Sequence, residues 1–505
     1  MDIKNVIVQA GGKGTRMESL TANKPKALVP VNNLPMIMHL FRKFPGRRFT
    51  VIGDYKYEVL DKYLKTFADA DFRMVRATGR EGTCAGLRES LSMIPQGEPF
   101  LLIWCDLVLS DDYELPDTDD NVIGISKDFP CRWKYEDGEF EEERSSEYGV
   151  AGFFIFKDKS FIEDVPEEGE FVRWLKSKGY KFETQPLYKT HEYGLKSEWD
   201  KLPTGKCRPF NSLRFEGDRV YKIPLDKQGE DLAKRETAWY KKLHGEKFEN
   251  LPEIYGYDPI CMEKINGKNI YEYDDIDTEK KRDILEQIIL CLRSVHAIES
   301  VPADRDSYYE AYIGKTFDRL EKIRDLVPFA GNEYIMVNGR KCRNVFFCRK
   351  EIEKAVMEYM PDSFCLIHGD CTFSNIMLKN DSIPVLIDPR GYFGHTELFG
   401  DVAYDWVKLY YSLYSNYDRF NLKKFILNIK EDEVELSIES NNWENMEEEF
   451  FKLTGDGISR RQMKLLLAIT WLSLTTYAWE DYDSICGAFY NGVYYLEEGL
   501  DGNGV

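Results

Sequence analysis

Four side chains near residue 370 have the types and spacing that phosphoryl transfer requires. The stretch LIHGDCTFSNIML contains His368, Asp370 and Asn375 in the pattern HxDxxxxN, and an apolar strand, VLIDP, delivers Asp388 thirteen residues further on. An aspartate in this setting orients and deprotonates an attacking hydroxyl, while the asparagine and the second aspartate hold Mg²⁺ on the triphosphate of ATP. The spacing therefore predicts a hydroxyl kinase that uses ATP and Mg²⁺.

These motifs resemble those of the aminoglycoside-phosphotransferase and choline-kinase group of small-molecule kinases. The resemblance implies a strand lysine on the α- and β-phosphates and a helix glutamate that positions it, which fall on Lys222 in VYKIP and Glu236 in KRETAWYKKL. It also places Met262 of PICMEKING in the linker that meets adenine. The alternative for Lys222 and Glu236 is that they are an ordinary surface lysine and an ordinary helix glutamate. A protein kinase is disfavoured because the chain lacks a GxGxxG loop and an APE segment.

The sequence DPRG departs from the DFG or DWE-like sequence that is usual in that group. Arg390 either contacts a phosphate or an anionic substrate, or it pairs with Asp401 or Asp405. The salt bridge is the prediction, because an arginine beside two acids is more often structural. His296 and the tyrosine-rich stretch KLYYSLYSNYDRF are predicted to be packing residues, and an aromatic cage for a quaternary ammonium is the alternative for the tyrosines.

A second group of candidate residues lies near the N-terminus, where the strand-like VIVQA runs into GGKGTR. Glycines let the backbone approach phosphate oxygens and point N–H groups at them, while a basic side chain offsets the charge. Glycine also serves tight turns for conformational reasons alone. The longer string, GGKGTR followed by KPKALVPV, resembles the signature of the nucleotidyltransferases that make NDP-sugars and CDP-alcohols from a phosphate ester and an NTP.

That resemblance assigns roles to individual residues. The glycine loop would cradle the NTP, Arg16 would contact the β- and γ-phosphates that leave, and Lys26 would contact phosphate. In EGTCAGLRESL, Gly82 and Thr83 would line the base, and Gly86 would open a helix near the acceptor. The loop glycines concerned are Gly11, Gly12 and Gly14.

Asp106 ends the buried strand FLLIWCD, and the carboxyl end of a central parallel strand is where open α/β sheets bind ligands. The resemblance implies that Asp106 holds Mg²⁺ between the α-phosphate and the acceptor phosphate; the alternative is a loop cap. The family usually supplies a second carboxylate in a DxGT-like motif. Here Glu192 of THEYGL would replace that aspartate and Leu195 departs from the usual threonine, so a surface glutamate before a helix is an equal alternative.

The candidate residues near the N-terminus must be positioned by strands and helices that alternate along the chain. Short apolar runs alternate with helix-like segments over the first 115 residues, which predicts a mainly parallel, Rossmann-like α/β sheet. Pro and Gly residues at 200–211 predict a domain boundary there, which gives domains 1–205 and 206–505. A hairpin around 216–218 and long amphipathic stretches then predict a two-lobed, protein-kinase-like α+β domain, with a small lobe at about 206–265 and a helical lobe at about 266–505.

Composition excludes several classes of function. The 505 residues carry a net charge of −20 and 14% aromatic residues, which disfavours disorder and a nucleic-acid-tracking face. Eleven cysteines without a CxxC pair disfavour a disulfide framework or a zinc knuckle. Without a signal-like start or an apolar run of about 18 residues, the expectation is a cytoplasmic protein with no stable membrane insertion.

The two sets of motifs together predict consecutive reactions. ATP would phosphorylate a small-molecule hydroxyl (amino-alcohol, polyol or sugar), and the phosphate ester would react with an NTP to give NDP-X and pyrophosphate. KALVPV and the short transferase domain favour CTP, with UTP and a sugar 1-phosphate as the alternative. The resemblance implies a role in surface glycan, capsular polysaccharide or lipid decoration. A different alternative is that one half is catalytically inactive and serves as a regulatory binding module.

Overall fold

The computed structural model describes residues 2–77, 79–202, 211–273, 276–455 and 457–500. The chain divides into two compact units, Met1–Pro203 with Trp479–Asp483, and Thr204–Ala478 with Ser484–Val505. The boundary predicted between residues 205 and 206 lies outside the described residues. Among the described residues, no helix combines the length and apolarity needed to cross a bilayer.

In the first unit, strands and helices alternate up to α3, and antiparallel additions follow. Its helices are α1 (Met36–Lys43), α2 (Tyr57–Phe67), α3 (Leu87–Ser92), α4 (Phe171–Lys178) and α5 (Lys196–Trp199). Its strands are β1 (Asn5–Gln9), β2 (Pro30–Val31), β3 (Leu34–Pro35), β4 (Arg48–Gly53), β5 (Asp71–Arg76), β6 (Phe100–Trp104), β7 (Leu107–Val108), β8 (Val122–Ser126), β9 (Lys134–Glu136), β10 (Glu139–Glu141), β11 (Gly149–Phe156), β12 (Glu183–Leu187) and β13 (His191–Glu192).

The main sheet of this unit has the order β10-β9-β11-β6-β1-β4-β5, and β8 and β12 extend it from β11. Strands β6, β1, β4 and β5 run parallel, whereas β11 pairs antiparallel with β6. The sequences of β1 and β6, NVIVQ and FLLIW, are buried along nearly their whole length, as expected for strands covered on both faces. The predicted mainly parallel α/β sheet is therefore confirmed.

The second unit begins with a small antiparallel sheet and continues into a helical part. Its helices are α6 (Lys227–Gly245), α7 (Thr278–His296), α8 (Arg305–Tyr309), α9 (Lys315–Ile323), α10 (Arg349–Met357), α11 (Val402–Ser415), α12 (Tyr417–Asn421), α13 (Glu447–Thr454), α14 (Arg460–Leu474) and α15 (Tyr482–Leu500). Its strands are β14 (Asn211–Glu216), β15 (Arg219–Pro224), β16 (Ile254–Tyr257), β17 (Ile260–Glu263), β18 (Gly267–Asn269), β19 (Ser300–Pro302), β20 (Tyr334–Val337), β21 (Arg340–Arg343), β22 (Ser363–Leu366), β23 (Ile376–Lys379), β24 (Ile383–Leu386), β25 (Tyr392–Phe393), β26 (Thr396–Glu397), β27 (Phe399–Gly400), β28 (Phe425–Ile429) and β29 (Val434–Ile438).

The small sheet has the order β14-β15-β17-β16, with β14 and β15 joined at the predicted hairpin. Helix α6 begins where the Asp226 side chain accepts a hydrogen bond from the Gly229 amide, a standard N-cap. Its buried face includes Glu236, Trp239 and Tyr240. Because residues three and four positions apart share a helix face, Glu236 lies on the same buried face as the two aromatic residues. The kinase-like, two-part α+β architecture is thus confirmed.

The tyrosine-rich stretch packs inside the helical part. Tyr411 lies 4.7 Å, centroid to centroid, from Trp471 of α14 and stacks on Tyr417 at 4.2 Å. The Trp471 indole donates a 3.0 Å hydrogen bond to Ser415 Oγ, which satisfies the one polar atom of that ring. The prediction that these tyrosines are packing residues is confirmed. After residue 411, this unit continues with α12, the hairpin of β28 and β29, α13, α14 and most of α15.

Candidate active sites

The glycine loop follows β1 and closes around Lys26. Gly14 has φ +65°, and a Cβ there would lie 3.1 Å from the Cβ of Lys26, so glycine is needed for both conformation and space. A Cβ on Gly12, in contrast, would meet nothing within 4 Å. The backbone at Gly12 is exposed and therefore open to a ligand.

The segment with Gly82 and Thr83 is fixed against the same edge of the sheet. Gly82 has φ +87°, and a Cβ there would lie 2.3 Å from the carbonyl oxygen of Gly169. The Thr83 carbonyl accepts a 2.6 Å hydrogen bond from Gln9 Nε2, at the end of β1, and Thr83 Oγ1 accepts one from the Phe171 amide at 2.8 Å. The structure thus holds this segment next to the start of the glycine loop, and its contact with a base stays a prediction.

Lys26, Asp106 and Glu192 meet just beyond the end of β6. Lys26 Nζ donates to Asp106 Oδ2, and both side chains are largely buried. Burial lowers the pKa of Lys26, but Asp106 together with other neighbouring groups, including Glu192, raises it overall, so the lysine stays charged. Glu192 lies near Asp106 because β13 pairs antiparallel with β7, which sets Glu192 opposite Leu107, the residue after Asp106.

Glu192 is the member of this group whose charged form is least favoured. Burial first and the Asp106 charge second raise its pKa to about 7. The Arg16 guanidinium lies 4.0 Å from Glu192 Oε1 and is 64% exposed, so it is free to turn toward a ligand. A cavity of about 890 Å³ adjoins these residues and is lined by Arg16, Glu192, Tyr193, Arg132, Arg144 and others. This volume suits a small-molecule substrate.

These residues fit a magnesium ion that is shared with substrate. Among the described residues, no three His, Cys, Asp or Glu side chains converge into a ready metal cage. Mg²⁺ commonly binds through one or two carboxylates and completes its shell with phosphate oxygens and water. Two adjacent carboxylates, one of which resists ionisation without a cation, meet that requirement. Asp106 and Glu192 are the residues that would hold the ion.

In the second unit, Asp370 and Asn375 form the centre of a second site. Asn375 Nδ2 donates to the Asp370 backbone carbonyl at 2.7 Å and lies 3.1 Å from Asp370 Oδ2. Lys408 Nζ, from α11, lies 2.9 Å from Asp370 Oδ1. Asp370 is therefore held as a carboxylate with both oxygens contacted by donors, a suitable state for accepting a proton from a hydroxyl.

A buried network that the sequence did not reveal holds the loop bearing Asp370. Asp405 accepts hydrogen bonds from the amides of His368 (2.9 Å) and Gly369 (2.6 Å), and His296 Nε2 lies 2.9 Å from Asp405 Oδ2. Burial alone would raise the pKa of Asp405, but His296, His368 and the Gly369 amide together lower it overall. His296 was expected only to pack, and the structure gives it this positioning contact as well.

His368 completes the loop as a neutral imidazole. Its Nδ1 accepts from the Asp370 amide at 3.2 Å, so Nε2 carries the proton and donates to the Ile387 carbonyl at 2.9 Å. Burial lowers its pKa, which keeps the ring neutral. His368 thus links the Asp370 loop to the strand that ends before Asp388.

Lys222 lies between two carboxylates. Its Nζ is 2.7 Å from Glu236 Oε2 and 2.7 Å from Asp388 Oδ1. Burial lowers the pKa of Lys222, but the Asp388 and Glu236 charges raise it overall. Burial raises the pKa of Glu236 to about 7. Because Lys222 is fixed by Glu236 and Asp388 is 48% exposed, phosphates and a cation have access at this point.

The residues of this second site also fit a cation. Asn375 and Asp388 are the residues that would hold Mg²⁺ on ATP, and both supply the oxygen ligands that this ion prefers. Met262 lies on β17 opposite Val220 of β15 and is buried. Its contact with adenine stays a prediction.

The predicted ion pair of Arg390 with Asp401 or Asp405 is wrong. Arg390 donates instead to the hydroxyls of Tyr404 (2.8 Å) and Tyr392 (2.9 Å). The two acids are occupied elsewhere: Asp405 serves the amides described above, and Asp401 accepts from the Tyr312 hydroxyl and the Ala403 amide. Both acids therefore accept hydrogen bonds from groups other than Arg390, which their positions in the sequence did not reveal.

Two family models match different parts of the chain. Residues 6–114 match the MobA-like NTP transferase domain, and residues 213–426 match the phosphotransferase enzyme family.

The curated relatives each match less than half of this chain. A D-glycero-alpha-D-manno-heptose 1-phosphate guanylyltransferase of Campylobacter jejuni is 29% identical over 100 residues, which cover 19% of this chain and 45% of the relative. The UTP–glucose-1-phosphate uridylyltransferase AglF of Haloferax volcanii is 24% identical over 168 residues, covering 32% and 65%. In both cases the chain covers less than two thirds of the relative's length.

Among solved structures, HddC from Yersinia pseudotuberculosis resembles the chain with a TM-score of 0.34 and 20% identity, covering 40% of this chain and 98% of that one.

Proposed function

We propose that this chain, in which a MobA-like NTP transferase domain precedes a phosphotransferase-family domain, is a bifunctional enzyme. Its second domain, assigned to residues 206–505, phosphorylates a hydroxyl of a small molecule X with ATP. Its first domain, assigned to residues 1–205, joins X-phosphate to an NTP and releases pyrophosphate. The observation that carries the proposal is that each domain holds its own lysine–carboxylate centre, Lys26 with Asp106 and Lys222 with Asp388.

In the kinase step, the substrate hydroxyl attacks the γ-phosphorus of ATP and the bond to the β-phosphate oxygen breaks. Asp370 accepts the hydroxyl proton, and Lys222, fixed by Glu236, neutralises charge on the α- and β-phosphates. When bound by Asn375 and Asp388, Mg²⁺ would supply further neutralisation of the triphosphate. The Asp405 network keeps Asp370 at a fixed position relative to Asp388.

In the transferase step, an oxygen of X-phosphate attacks the α-phosphorus of the NTP and the α–β bond breaks. Lys26 neutralises phosphate charge at the reacting centre, and Arg16 stabilises the leaving pyrophosphate. Gly11, Gly12 and Gly14 let backbone amides approach the triphosphate. Mg²⁺ held by Asp106 and Glu192 would bring the two anionic groups together.

The nucleotide and X are the finer parts of the proposal. We propose CTP as the NTP, on the strength of KALVPV and the short transferase domain, with UTP and a sugar 1-phosphate as the alternative. The matched curated relatives are named for guanylyl and uridylyl transfer, so GTP belongs in the same test. We place the enzyme in the cytoplasm, where it would feed surface glycan, capsular polysaccharide or lipid decoration.

Mass spectrometry of the reaction products tests this function. The protein is incubated with Mg²⁺, ATP, each of CTP, UTP and GTP, and a pool of alcohols and sugars. The proposal predicts an NDP-linked product that disappears when ATP is omitted. Formation of X-phosphate alone would indicate the second candidate function, in which the first domain is an inactive binding module. An NDP-linked product that forms without ATP would contradict the coupled reaction.

A further inference from the structure

A cluster of positive charge surrounds Tyr404 next to the proposed catalytic base. Arg390 Nη1 donates to the Tyr404 hydroxyl at 2.8 Å, and Lys315 Nζ lies 3.5 Å from the same oxygen. Lys408 Nζ lies 5.8 Å from the centroid of the Tyr404 ring. These three basic side chains come from α9, α11 and the segment after Asp388, and we call them the Tyr404 cluster.

The Tyr404 cluster adjoins the reacting centre of the kinase domain. Lys408 contacts Asp370 directly. The Arg390 amide donates to the His368 carbonyl at 2.8 Å, and a Cβ on Gly369 would lie 2.9 Å from the Cβ of Arg390. Arg390 therefore packs against the residue that precedes Asp370. A substrate whose hydroxyl reaches Asp370 would have the rest of its structure within range of these basic side chains.

The basic side chains of the Tyr404 cluster outnumber the acids that pair with them. Lys408 pairs with Asp370, but among the described residues neither Arg390 nor Lys315 forms an ion pair with a carboxylate. Glu310 favours the charged form of Lys315 only from beyond ion-pair distance. Burial first, and then Arg390, Arg319 and Lys408, lower the pKa of Lys315 well below its usual range. An arriving anion would relieve this repulsion.

We propose that the alcohol phosphorylated by the kinase domain is itself an anion, carrying a carboxylate or phosphate that binds Arg390 and Lys315. This inference rests on the proposed kinase function and narrows its substrate class. Arginine offers parallel donors that match the oxygens of either group, and its Tyr404 and Tyr392 hydrogen bonds orient it before binding. Choline and other quaternary ammonium alcohols are disfavoured next to Tyr404, because Lys315, Arg390 and Lys408 already lie 5.4, 5.9 and 5.8 Å from the centroid of its ring.

The anion site is tested first without catalysis, using inorganic sulfate as the probe. The melting temperature of the full chain is followed in millimolar sulfate at constant ionic strength, with both nucleotide sites saturated by a non-hydrolysable ATP analogue, CTP and Mg²⁺. We expect the sulfate-dependent increase to be lost in Arg390→Gln and Lys315→Gln. Lys350→Gln, which removes an exposed lysine at the start of α10, should retain it. Melting temperatures without sulfate show whether each variant folds.

The kinase assay then compares matched alcohols: glycerol with glycerate and glycerol 3-phosphate, and glucose with glucuronate and glucose 6-phosphate, with choline as the cationic alternative. We expect activity on an anionic member of a pair and a roughly 10- to 100-fold loss of kcat/KM in Arg390→Gln, as for one lost charge-assisted hydrogen bond. The loss should fall mainly on KM and be partly rescued by Arg390→Lys.

The two arms distinguish the failure of this inference from the failure of the proposed function. A sulfate effect that is unchanged in both variants, or phosphorylation of choline or a neutral alcohol that both variants retain, would overturn the anionic substrate. A sulfate effect that depends on Arg390 and Lys315, with no alcohol phosphorylated, would support the anion site and count against the kinase function.

Discussion

Lys222 Nζ lies 2.7 Å from Glu236 Oε2, although the two residues come from a strand and a helix separated by 14 positions. Glu236 is buried on α6, and Lys222 of β15 is its hydrogen-bonding partner. A buried pair of this kind is costly to form and is therefore weak evidence for a purely stabilising role. Its position beside Asp388 favours the role in phosphate binding.

Lys222→Met should abolish most of the kinase reaction. We expect kcat/KM for ATP-dependent phosphorylation to fall roughly 100-fold or more, which corresponds to about 2.7 kcal/mol of transition-state stabilisation. Transfer of a nucleotide to X-phosphate supplied from outside should be unchanged. The double variant Lys222→Met, Glu236→Met controls for a buried glutamate left without its partner. Full kinase activity in a folded single variant would contradict the assigned role.

Glu192→Gln should raise the Mg²⁺ concentration that the transferase step needs. The amide keeps the shape of the side chain but removes the charge that would help Asp106 hold the ion. Glu163→Gln serves as the matched control, because Glu163 is an exposed glutamate in the same domain. Half-saturating Mg²⁺ is measured for pyrophosphate release. If Glu192→Gln behaves like Glu163→Gln, then Glu192 is the surface glutamate of the alternative.

Two glycine substitutions should separate nucleotide binding from folding. Gly12→Ala finds open space around its new methyl group, so we expect an unchanged melting temperature and a higher KM for the NTP. Gly82→Ala puts a methyl group against the Gly169 carbonyl at a positive φ, so we expect a lower melting temperature as well. Equal melting temperatures for the two variants would contradict the tight packing described around Gly82.

Asp405→Asn should impair the kinase step through position rather than contact with substrate. The amide side chain cannot accept from His368, Gly369 and His296 in the same way, and a lost partner for a buried donor costs about 1–3 kcal/mol. We expect kcat to fall while KM for ATP changes little, together with a lower melting temperature. A variant with normal kcat and normal stability would show that Asp405 does not hold the Asp370 loop.

Local patterns in the sequence predicted much of the fold and the residue types of both candidate sites. The strand–helix alternation of the first domain and the face of α6 that carries Glu236 follow from hydrophobic periodicity, which is a local property. Arg390 shows where such reasoning fails, because the two acids expected to pair with it accept hydrogen bonds from backbone amides and Tyr312 instead. Lys315 lies far from Asp370 in sequence, and only the fold brings the start of α9 to Tyr404 of α11.

The separation of the two reactions provides the most direct test of the bifunctional enzyme. Asp106→Asn and Asp370→Asn are assayed singly and then mixed, with free X, ATP, NTP and Mg²⁺, and the products are resolved by mass spectrometry. Asp106→Asn should accumulate X-phosphate, Asp370→Asn should make NDP-X only from added X-phosphate, and the mixture should make NDP-X from X. Formation of NDP-X from free X by Asp370→Asn alone would contradict the account.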